Sequence, residues 1–350
     1  MDKASVWMVQ FAWRQDEEGV VMSVRDCAPN QSAGPCPVRS THSVRRTSTI
    51  DTHWPEGRDG PMSMRGDARD IFTGASLTKQ KVLSTASFDI LASGAREILS
   101  IESSPALPNR ASLEGVRAGG QSRKATSSQI SIMNAEHSPL HLLLDDFAGA
   151  SLVAGWAWSR WMDGDLTTPD KNNTALPRME GICAGFRPGA SSLDSEGRPL
   201  QSIQSSAFVE SIINPADWGG WHSVRRQEGV AMRRARWMEV RRVERLFEVS
   251  SGFQDSATDP SGRRVAVHEY RLNAKIDCET SILTEVNADP RILPYRECPA
   301  AAANIGRLMG VSVEELRREV LDRLPGTLGC THLNDMLRSL ADIPRLTVML

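Results

Sequence analysis

The segment Val265-Ala-Val-His-Glu-Tyr-Arg-Leu-Asn-Ala-Lys-Ile-Asp277 alternates between two kinds of side chain. Successive side chains of a β-strand point to opposite faces, so this alternation predicts a strand with one face in a core. The predicted core face carries Ala266, His268, Tyr270, Leu272, Ala274 and Ile276. The opposite face carries Glu269, Arg271, Asn273 and Lys275.

This strand belongs to one of two strand-rich blocks that resemble each other. Arg45–Arg46 in the first block matches Arg233–Arg234 in the second, and Pro105 matches Pro290 at nearly the same separation along the chain. A nearly constant offset predicts a duplication, with two similar antiparallel meanders packed together. The alternative is that two unrelated meanders can be slid into partial register. The blocks cover about 44–107 and 232–293.

Helix signals lie between and after the blocks. Ser138–Pro139 is typical of a helix start, and the apolar spacing that follows predicts a helix to about Trp161. Further starts are predicted at Pro299, at the capping box Ser312–Glu315 and at Thr331, which can cap the last helix. The predicted fold class is therefore α+β, with two related antiparallel β-meander halves, a long central helix and C-terminal helices.

These signals divide the chain into four regions. We predict a disordered tail at 1–40, because that region lacks sustained periodicity. The others are a first β-rich half at 41–120, a linker, central helix and irregular insertion at 121–231, and a second β-rich half with C-terminal helices at 232–350. Within the third region, Gln121–Ser131 is predicted to be a linker and 163–206 a long irregular excursion.

Composition excludes several classes of protein. The 350 residues include 41 Lys and Arg against 43 Asp and Glu, and this balance argues against a dedicated nucleic-acid binder. The longest nearly apolar run, Phe147 to Trp158, is too short for a membrane span, and the first residues do not predict a signal peptide. Six scattered cysteines without CxxC spacing favour a reduced, cytoplasmic protein. The sequence leaves open whether the chain forms a homo-oligomer.

The strongest candidate catalytic pair is His268 and Tyr270. Their spacing places both side chains on the apolar face, about 6.5–7 Å apart, where an imidazole could serve as base and a phenol as hydrogen-bond donor. The alternative is that both are core residues satisfied by backbone groups. In the first block the matched positions are Leu83 and Thr85, so we expect chemistry in the second block alone.

A second candidate is the cluster around Cys330 and His332. Cys330 and Cys298 each precede a predicted helix start, where the helix dipole is expected to lower a thiol pKa. Cys330 could then be a nucleophile with His332 as its base, or the cluster could be a tight structural turn. Ligand type would allow a metal site from Cys298, Cys330, His332 and Asp335, but the spacing does not indicate one, and we predict no metal and no cofactor.

Four further residues are predicted to bind substrate. Arg46 and Arg234 could hold an anion, or could pair with Asp70 and Asp255 across strands. Asp146 follows Asp145 in the central helix and could be part of an acid–base pair or of a solvated face. Trp158 is one of nine tryptophans, which could line a slot for an aromatic ligand or pack in the core. The sequence lacks GxGxxG, Walker A, GxSxG and HExxH patterns, so it offers no motif for nucleotide, serine-hydrolase or zincin chemistry.

Several motifs resemble a known family. Gly329-Cys-Thr-His-Leu-Asn-Asp-Met-Leu-Arg338, Pro294-Tyr-Arg-Glu-Cys-Pro299 and His268-Glu-Tyr270 are similar to motifs of a bacterial domain-of-unknown-function family, number 2889, including its GCTHL signature. Arg45-Arg-Thr-Ser-Thr-Ile-Asp51 resembles the longer, duplicated form of that family. The resemblance covers roughly 42–345 and is most specific in the C-terminal third of that range.

The resemblance also implies an expected function. Some relatives are tied to the breakdown of plant-derived phenolic dimers, including cofactor-free release of formaldehyde from a hydroxymethyl group. We therefore expect a cofactor-independent acid–base enzyme acting on a small aromatic substrate, of the lyase type, with no nucleic-acid or membrane partner. The alternative is a non-catalytic module that binds a ligand or assembles with other chains.

Overall fold

A single antiparallel sheet organises the described part of this computed structural model, residues 30–161 and 177–350. Its strands are β1 (Ser43–His53), β2 (Met62–Thr73), β3 (Gln80–Ala92), β4 (Ile98–Ser104), β5 (Ala207–Val209), β6 (Ala231–Val243), β7 (Leu246–Thr258), β8 (Arg264–Asp277) and β9 (Leu283–Ile292). The order is β4–β3–β2–β1–β6–β7–β8, and β5 and β9 both pair with β8.

The sheet consists of two meanders of the same order, β1–β4 and β6–β9, which we call the first and second halves. They join where β1 pairs with β6, and there Ser48 lies directly opposite Arg236. The sequence offset that carries Arg46 onto Arg234 also carries Ser48 onto Arg236. A pseudo-twofold axis therefore passes between Ser48 and Arg236, as expected for two related halves.

A β-bulge occurs at the same place in each half. In the first half the register shifts directly after Asp70, which pairs with Ser84. In the second half it shifts directly after Asp255, which pairs with His268. The counterpart of His268 is therefore Ser84 and not Leu83, because the turn between these two strands is one residue shorter in the second half: Thr258 pairs with Arg264, whereas Thr73 pairs with Gln80.

Helices cover one face of this sheet and complete the α+β class. They are α1 (Gly120–Ile132), α2 (Pro139–Ala154), α3 (Leu316–Arg323), α4 (Thr331–Arg338) and α5 (Ile343–Thr347). Helix α2 begins as predicted, with Pro139 at its first position and the Ser138 hydroxyl accepting the backbone N–H of His141. It continues as a 3-10 helix over Gly155–Arg160.

Three predictions about helices were wrong. Thr331 is the first residue of α4 and not its cap, and α5 follows α4. The expected linker at Gln121–Ser131 is helix α1, in which the Thr126 hydroxyl donates to a carbonyl within the helix and Ile130 packs into the core. The expected capping box at Ser312–Glu315 does not form, and α3 begins at Leu316. The backbone around Ser312 instead bridges to Ile282, which fixes that turn from outside. Pro299 lies in a 3-10 helix, Cys298–Leu308.

The two faces of the sheet are packed against different parts of the chain. The front face, which carries Arg46 and Arg234, packs against α2 and the helices after β9. The back face, which carries Arg45 and Trp237, is covered near its centre by 30–39 and by the segment around Trp221. The prediction that 265–277 is a strand with His268 and Tyr270 on its core face is confirmed, since both side chains are buried on the front face.

Part of the predicted tail is packed against the sheet. Ser32 and the backbone N–H of Ala33 donate to Glu269, and Arg39 is buried in an ion pair with Asp217 at 2.8 Å. The prediction of disorder is therefore wrong for 30–40, because this segment buries Cys36 and Arg39 against the back face. The rest of the tail and 162–176 of the irregular excursion lie outside the described residues. Among the described helices, none is long and apolar enough to cross a bilayer.

Candidate functional site

The same buried ion pair occurs in both halves. Arg46 donates from Nε and Nη2 to the two oxygens of Asp70, each at 2.7 Å. Arg234 donates in the same way to Asp255, each at 3.0 Å. This two-point geometry is the strongest form of an arginine–carboxylate contact. Cross-strand pairing, the alternative that the sequence left open for these two arginines, is therefore present in the structure.

The C-terminal helices place polar groups against both pairs. Asp335 lies 3.2 Å from Nη1 of Arg234, and Asp342 accepts from Nη1 of Arg46 at 2.7 Å. The spacing from Asp335 to Asp342 is about two helical turns, so both aspartates project from one side of α4 and its extension. His332 lies about one turn before Asp335 on the same side. One helical edge therefore spans the pseudo-twofold axis and contacts both halves.

These contacts belong to a larger buried ionic network of arginines and aspartates. Asp145 and Asp146 are both members, so the alternative of a solvated helix face is wrong for these two residues. Burial alone would raise the pKa of Asp342, but Arg317 and Arg46 hold it far below its usual range. The members are Arg46, Arg123, Arg234, Arg236, Arg317, Arg338, Asp70, Asp145, Asp146, Asp255, Asp335 and Asp342.

At one end of the network lies a group that we call the histidine cluster: Asp255, His268 and His332. The two imidazole rings stack with their centroids 3.6 Å apart and their planes at 22°. Nδ1 of His268 lies 3.5 Å from Oδ2 of Asp255, and Nε2 of His332 lies 3.7 Å from the same oxygen. Both nitrogens are buried without a hydrogen-bond partner of good geometry. The counterpart position in the first half has Ser84, whose hydroxyl donates to Asp70 at 2.9 Å.

The electrostatics of the cluster favour a charged aspartate beside a neutral imidazole. Burial would raise the pKa of Asp255, but Arg234 and the contact with His268 lower it below the usual range. Burial, and then the neighbouring His268, lower the pKa of His332 well below its ordinary value. At neutral pH, His332 is therefore uncharged and keeps one lone pair.

The other two predicted catalytic residues are neighbours of the cluster. Sγ of Cys330 lies 3.9 Å from Nδ1 of His332, and the fully buried Tyr270 hydroxyl lies beside the same thiol. The expected lowering of the thiol pKa is wrong for both Cys330 and Cys298, because burial raises the pKa in each case. Desolvation of a thiolate outweighs the favourable end of a short helix. These thiols are therefore protonated and unsuited to nucleophilic attack.

A metal ion is the other group that the histidine cluster could hold. The three side chains offer ligand atoms within 4.8 Å of one another, whereas the set Cys298, Cys330, His332 and Asp335 considered from the sequence is not brought together in this way. However, the two rings are stacked face to face and are not splayed around a common point, and Arg234 donates to both oxygens of Asp255. In this arrangement, the three side chains are better placed to share protons with one another than to coordinate a metal ion.

The remaining predicted binding residues lie at two places. Asp146 pairs with Arg236 at 2.7 Å near the pseudo-twofold axis. Trp158 is half-buried and packs edge-on against Trp54, with ring centroids 5.5 Å apart. Trp54 in turn packs in the same apolar group as Val267, which directly precedes His268. Trp158 therefore lies beside the apolar group that includes Val267.

Two cavities lie elsewhere in the described part of the molecule. One, of about 500 Å³, is an open groove beside His42, Phe72 and Met349. The other, of about 10 Å³, lies at the pseudo-twofold axis beside Ser48 and Arg236. Neither cavity borders Tyr270 or the histidine cluster, so the expected cavity beside His268 and Tyr270 is not among them. The cluster reaches solvent through small exposed fractions of the side chains of His268, at 9 %, and His332, at 12 %.

Comparison with known protein families gives a match over the part of the chain that contains the histidine cluster. Residues 232–345 match the model of the protein family of unknown function DUF2889. The match confirms the resemblance over 232–345, the segment that contains all three members of the histidine cluster. For the DUF2889-like features of 42–231 the resemblance stays a prediction. No curated protein and no solved structure matches the chain.

Asp255 and Asp335 are the site residues that sequence reasoning did not select. Asp255 had a signal, because it repeats Asp70 at nearly the offset that relates Arg234 to Arg46. For Asp335 the sequence indicated only a possible metal ligand near Cys330 and His332, and not a partner for an arginine. Its partner Arg234 is distant in the chain, near the other end of the segment that matches DUF2889. Pairing at that distance becomes visible only once the fold brings the two elements together.

Proposed function

We propose that the protein is an enzyme that transfers protons at the histidine cluster. The observation that supports this most is the convergence of two imidazoles on one buried carboxylate oxygen, at 3.5 and 3.7 Å. The four residues selected from the sequence as catalytic came from two distant segments, and they are neighbours in the fold. Perturbed, buried titratable groups collected in one place are typical of catalytic sites.

The geometry suggests a role for each member of the cluster. Asp255 faces Nδ1 of His268, which favours the tautomer with a proton on Nδ1 and leaves a lone pair on Nε2. His268 is then the general base, and Asp255 orients it. His332, neutral and stacked on His268, is placed to accept or return a proton. Tyr270 and Cys330 stay protonated and position His332 from the buried side.

Two features favour a small aromatic substrate. Trp156 and Trp161 are half-buried next to the strands that carry the cluster: Trp161 donates to the carbonyl of Thr258, and Trp156 packs in the same apolar group as Val267. Flat indole surfaces bind aromatic rings well. The resemblance to relatives that act on phenolic dimers points to the same substrate class.

The reaction we propose is loss of formaldehyde from a hydroxymethyl group. His268 removes the hydroxyl proton, and the bond between the hydroxymethyl carbon and its neighbour breaks to give formaldehyde. The electron pair of that bond passes into the adjoining unsaturated phenolic system. Return of the same proton to carbon completes the reaction, so that no oxidant or reductant is consumed.

The test is formaldehyde release from hydroxymethyl-bearing phenolic dimers by the purified full chain. His268→Gln is expected to lower kcat about 100-fold or more, as is usual when a general base is lost. Ser84→Ala, at the counterpart position of the first half, is the matched control and should leave kcat unchanged. Full turnover by a folded His268→Gln protein would remove the assignment. So would activity that depends on a stoichiometric bound metal.

A non-catalytic module is the second candidate. The observation that favours it is packing: Tyr270 is fully buried, and neither described cavity borders the cluster. A module of this kind would show no turnover, and its quaternary state would depend on concentration in light scattering. A monomer whose tryptophan fluorescence is quenched by phenolics would instead favour a ligand-binding site over an assembly surface.

A further inference from the structure

The small cavity at the pseudo-twofold axis has features of an anion site. Its volume of about 10 Å³ is close to the minimum for one small occupant. Arg46 and Arg236 line it from two strands, together with three hydroxyl-bearing residues. The hydroxyl-bearing residues are Ser48, Ser251 and Ser339.

Arg236 is the group in this cavity that lacks partners. Its side chain is only 5 % exposed, and none of its three guanidinium nitrogens makes a hydrogen bond of good geometry. A buried donor without an acceptor is unfavourable. Nε lies 2.7 Å from Asp146 as an ion pair, but Nη1 and Nη2 are left without an acceptor in the described structure. An acceptor in the cavity would satisfy them.

The charge of Arg236 interacts first with Asp146 and then with Asp335 and Asp255, and its guanidinium lies over the Phe253 ring. Burial raises the pKa of Asp146, its nearest carboxylate, to about 6, so this carboxylate is partly protonated just below neutral pH. Arg46 contributes a second guanidinium to the same wall, and each of its nitrogens already binds an aspartate. An occupant of the cavity would therefore interact mainly with Nη1 and Nη2 of Arg236, and an anion would gain more from these charged donors than a neutral molecule.

The pseudo-symmetry explains why space exists at this point. Ser48 and Arg236 are counterparts across the axis and lie directly opposite each other. A short side chain in one half facing a long one in the other leaves a void on the side of Ser48. Leu142 and Met238 provide its apolar lining.

We propose that this cavity binds one halide-sized anion, chloride being the abundant ion of that class, between the Arg236 guanidinium and the Ser48 hydroxyl. This site is separate from the histidine cluster and does not depend on the proposed reaction. Bound there, the anion satisfies the free N–H groups of Arg236. It stabilises the junction of the two halves by mass action, since the unfolded chain has no such site.

Bromide is the probe that tests the site directly. A crystal of the full chain is soaked in sodium bromide, and an anomalous-scattering map is calculated from data collected at the bromine absorption edge. We expect a peak in the cavity, within hydrogen-bond distance of Nη1 or Nη2 of Arg236. A map with water density and no anomalous peak at that point would overturn the proposal.

A solution experiment provides an independent measurement. At constant ionic strength, replacing gluconate by chloride at about ten times its Kd should raise Tm by about 2–3 °C. Ser48→Asp supplies a fixed carboxylate and should abolish this dependence, whereas Ser48→Ala removes one donor, keeps Arg236 and should retain a smaller dependence. A wild-type Tm that is the same in both salts would contradict the proposal, whether or not Ser48→Asp folds.

Discussion

Arg46 of β1 and Arg234 of β6 are counterparts in the two halves, and each makes the same bidentate ion pair with an aspartate of the next strand. What differs is the third partner of each aspartate. Ser84 donates to Asp70 in the first half, whereas His268 faces Asp255 in the second. The repeated pair is therefore a structural element of the duplicated core, and the difference at this one position distinguishes the half that we propose to be catalytic.

The first prediction concerns the structural copy of the pair. Asp70→Asn leaves Arg46 buried beside a neutral amide, and breaking a buried pair typically costs about 3–5 kcal/mol. We expect the free energy of unfolding, measured by urea titration, to fall towards the lower end of that range, because Asp342 still holds Nη1 of Arg46. Glu279→Gln is the matched control: it breaks the exposed pair with Arg245, and exposed pairs contribute about 0–1 kcal/mol. Equal effects of the two substitutions would contradict a stabilising role for the buried pair.

The second prediction concerns the close approach of α2 to the network. A Cβ on Gly149 would lie against Nη1 of Arg234 and Oδ2 of Asp335, closer than any real Cβ contact. Gly149→Ala is therefore expected to lower the free energy of unfolding by about 1–3 kcal/mol through overpacking, although alanine favours a helix by about 1 kcal/mol. Gly155→Ala, directly after the helix, meets open space and should be neutral or slightly stabilising. Thermal unfolding of the two variants side by side measures the difference, and an unchanged Tm for Gly149→Ala would show that the network can move aside.

The fold could be predicted from the sequence where local pattern and tertiary environment agree. The alternation in 265–277 predicted both faces of β8, and the repeated Arg46 and Arg234 predicted the duplicated halves. Ser138–Pro139 predicted the start of α2. In each case, the pattern along the chain and the packing in the fold favour the same outcome.

The predictions failed where contacts between residues distant in the chain determine the local structure or the pKa. Gln121–Ser131 has a polar composition, yet it is helical because Ile130 packs into a core built from other segments. The segment at 30–40 has no periodicity, yet Glu269 and Asp217 hold it in place. The thiol pKa of Cys330 was predicted from the helix end alone, whereas burial, which sequence does not show, dominates it. In the candidate site, Asp335 contacts Arg234 although the two residues are distant in the chain, so only the folded structure shows that they pair.

The third prediction follows from thiol burial. Cys36, Cys298 and Cys330 are buried, and burial raises the pKa of each thiol, for Cys36 to about 12. Cys278 is partly exposed. Iodoacetamide at about pH 8 should therefore modify Cys278 at least about ten times faster than Cys330, as followed by peptide mass spectrometry. In urea the rates should become similar. Faster labelling of Cys330 in the native protein would restore the discarded role of a reactive thiol.

The fourth prediction concerns His222, which lies on the back face between two threonines. Its ring nitrogens are 2.8 Å from the hydroxyl of Thr47 and 2.9 Å from that of Thr49. Burial, and then the charges of Arg69 and Arg233, lower the pKa of His222 to about 3. The folded state therefore keeps His222 neutral, whereas the unfolded chain takes up a proton near pH 6.5.

The sign of the resulting pH dependence follows from linkage. Because the unfolded state binds the extra proton, stability is lost as pH falls from about 6.5 towards 3, by about 1.4 kcal/mol per pH unit for this residue. His222→Gln is expected to be less stable at pH 7.5, but its free energy of unfolding should fall less steeply between pH 6 and 4, by about that amount per unit. Urea titrations at several pH values measure the slope. His53→Gln, at an exposed position, is the control and should keep the wild-type slope. Parallel curves for wild type and His222→Gln would mean that the folded protein accommodates a charged imidazole at this position.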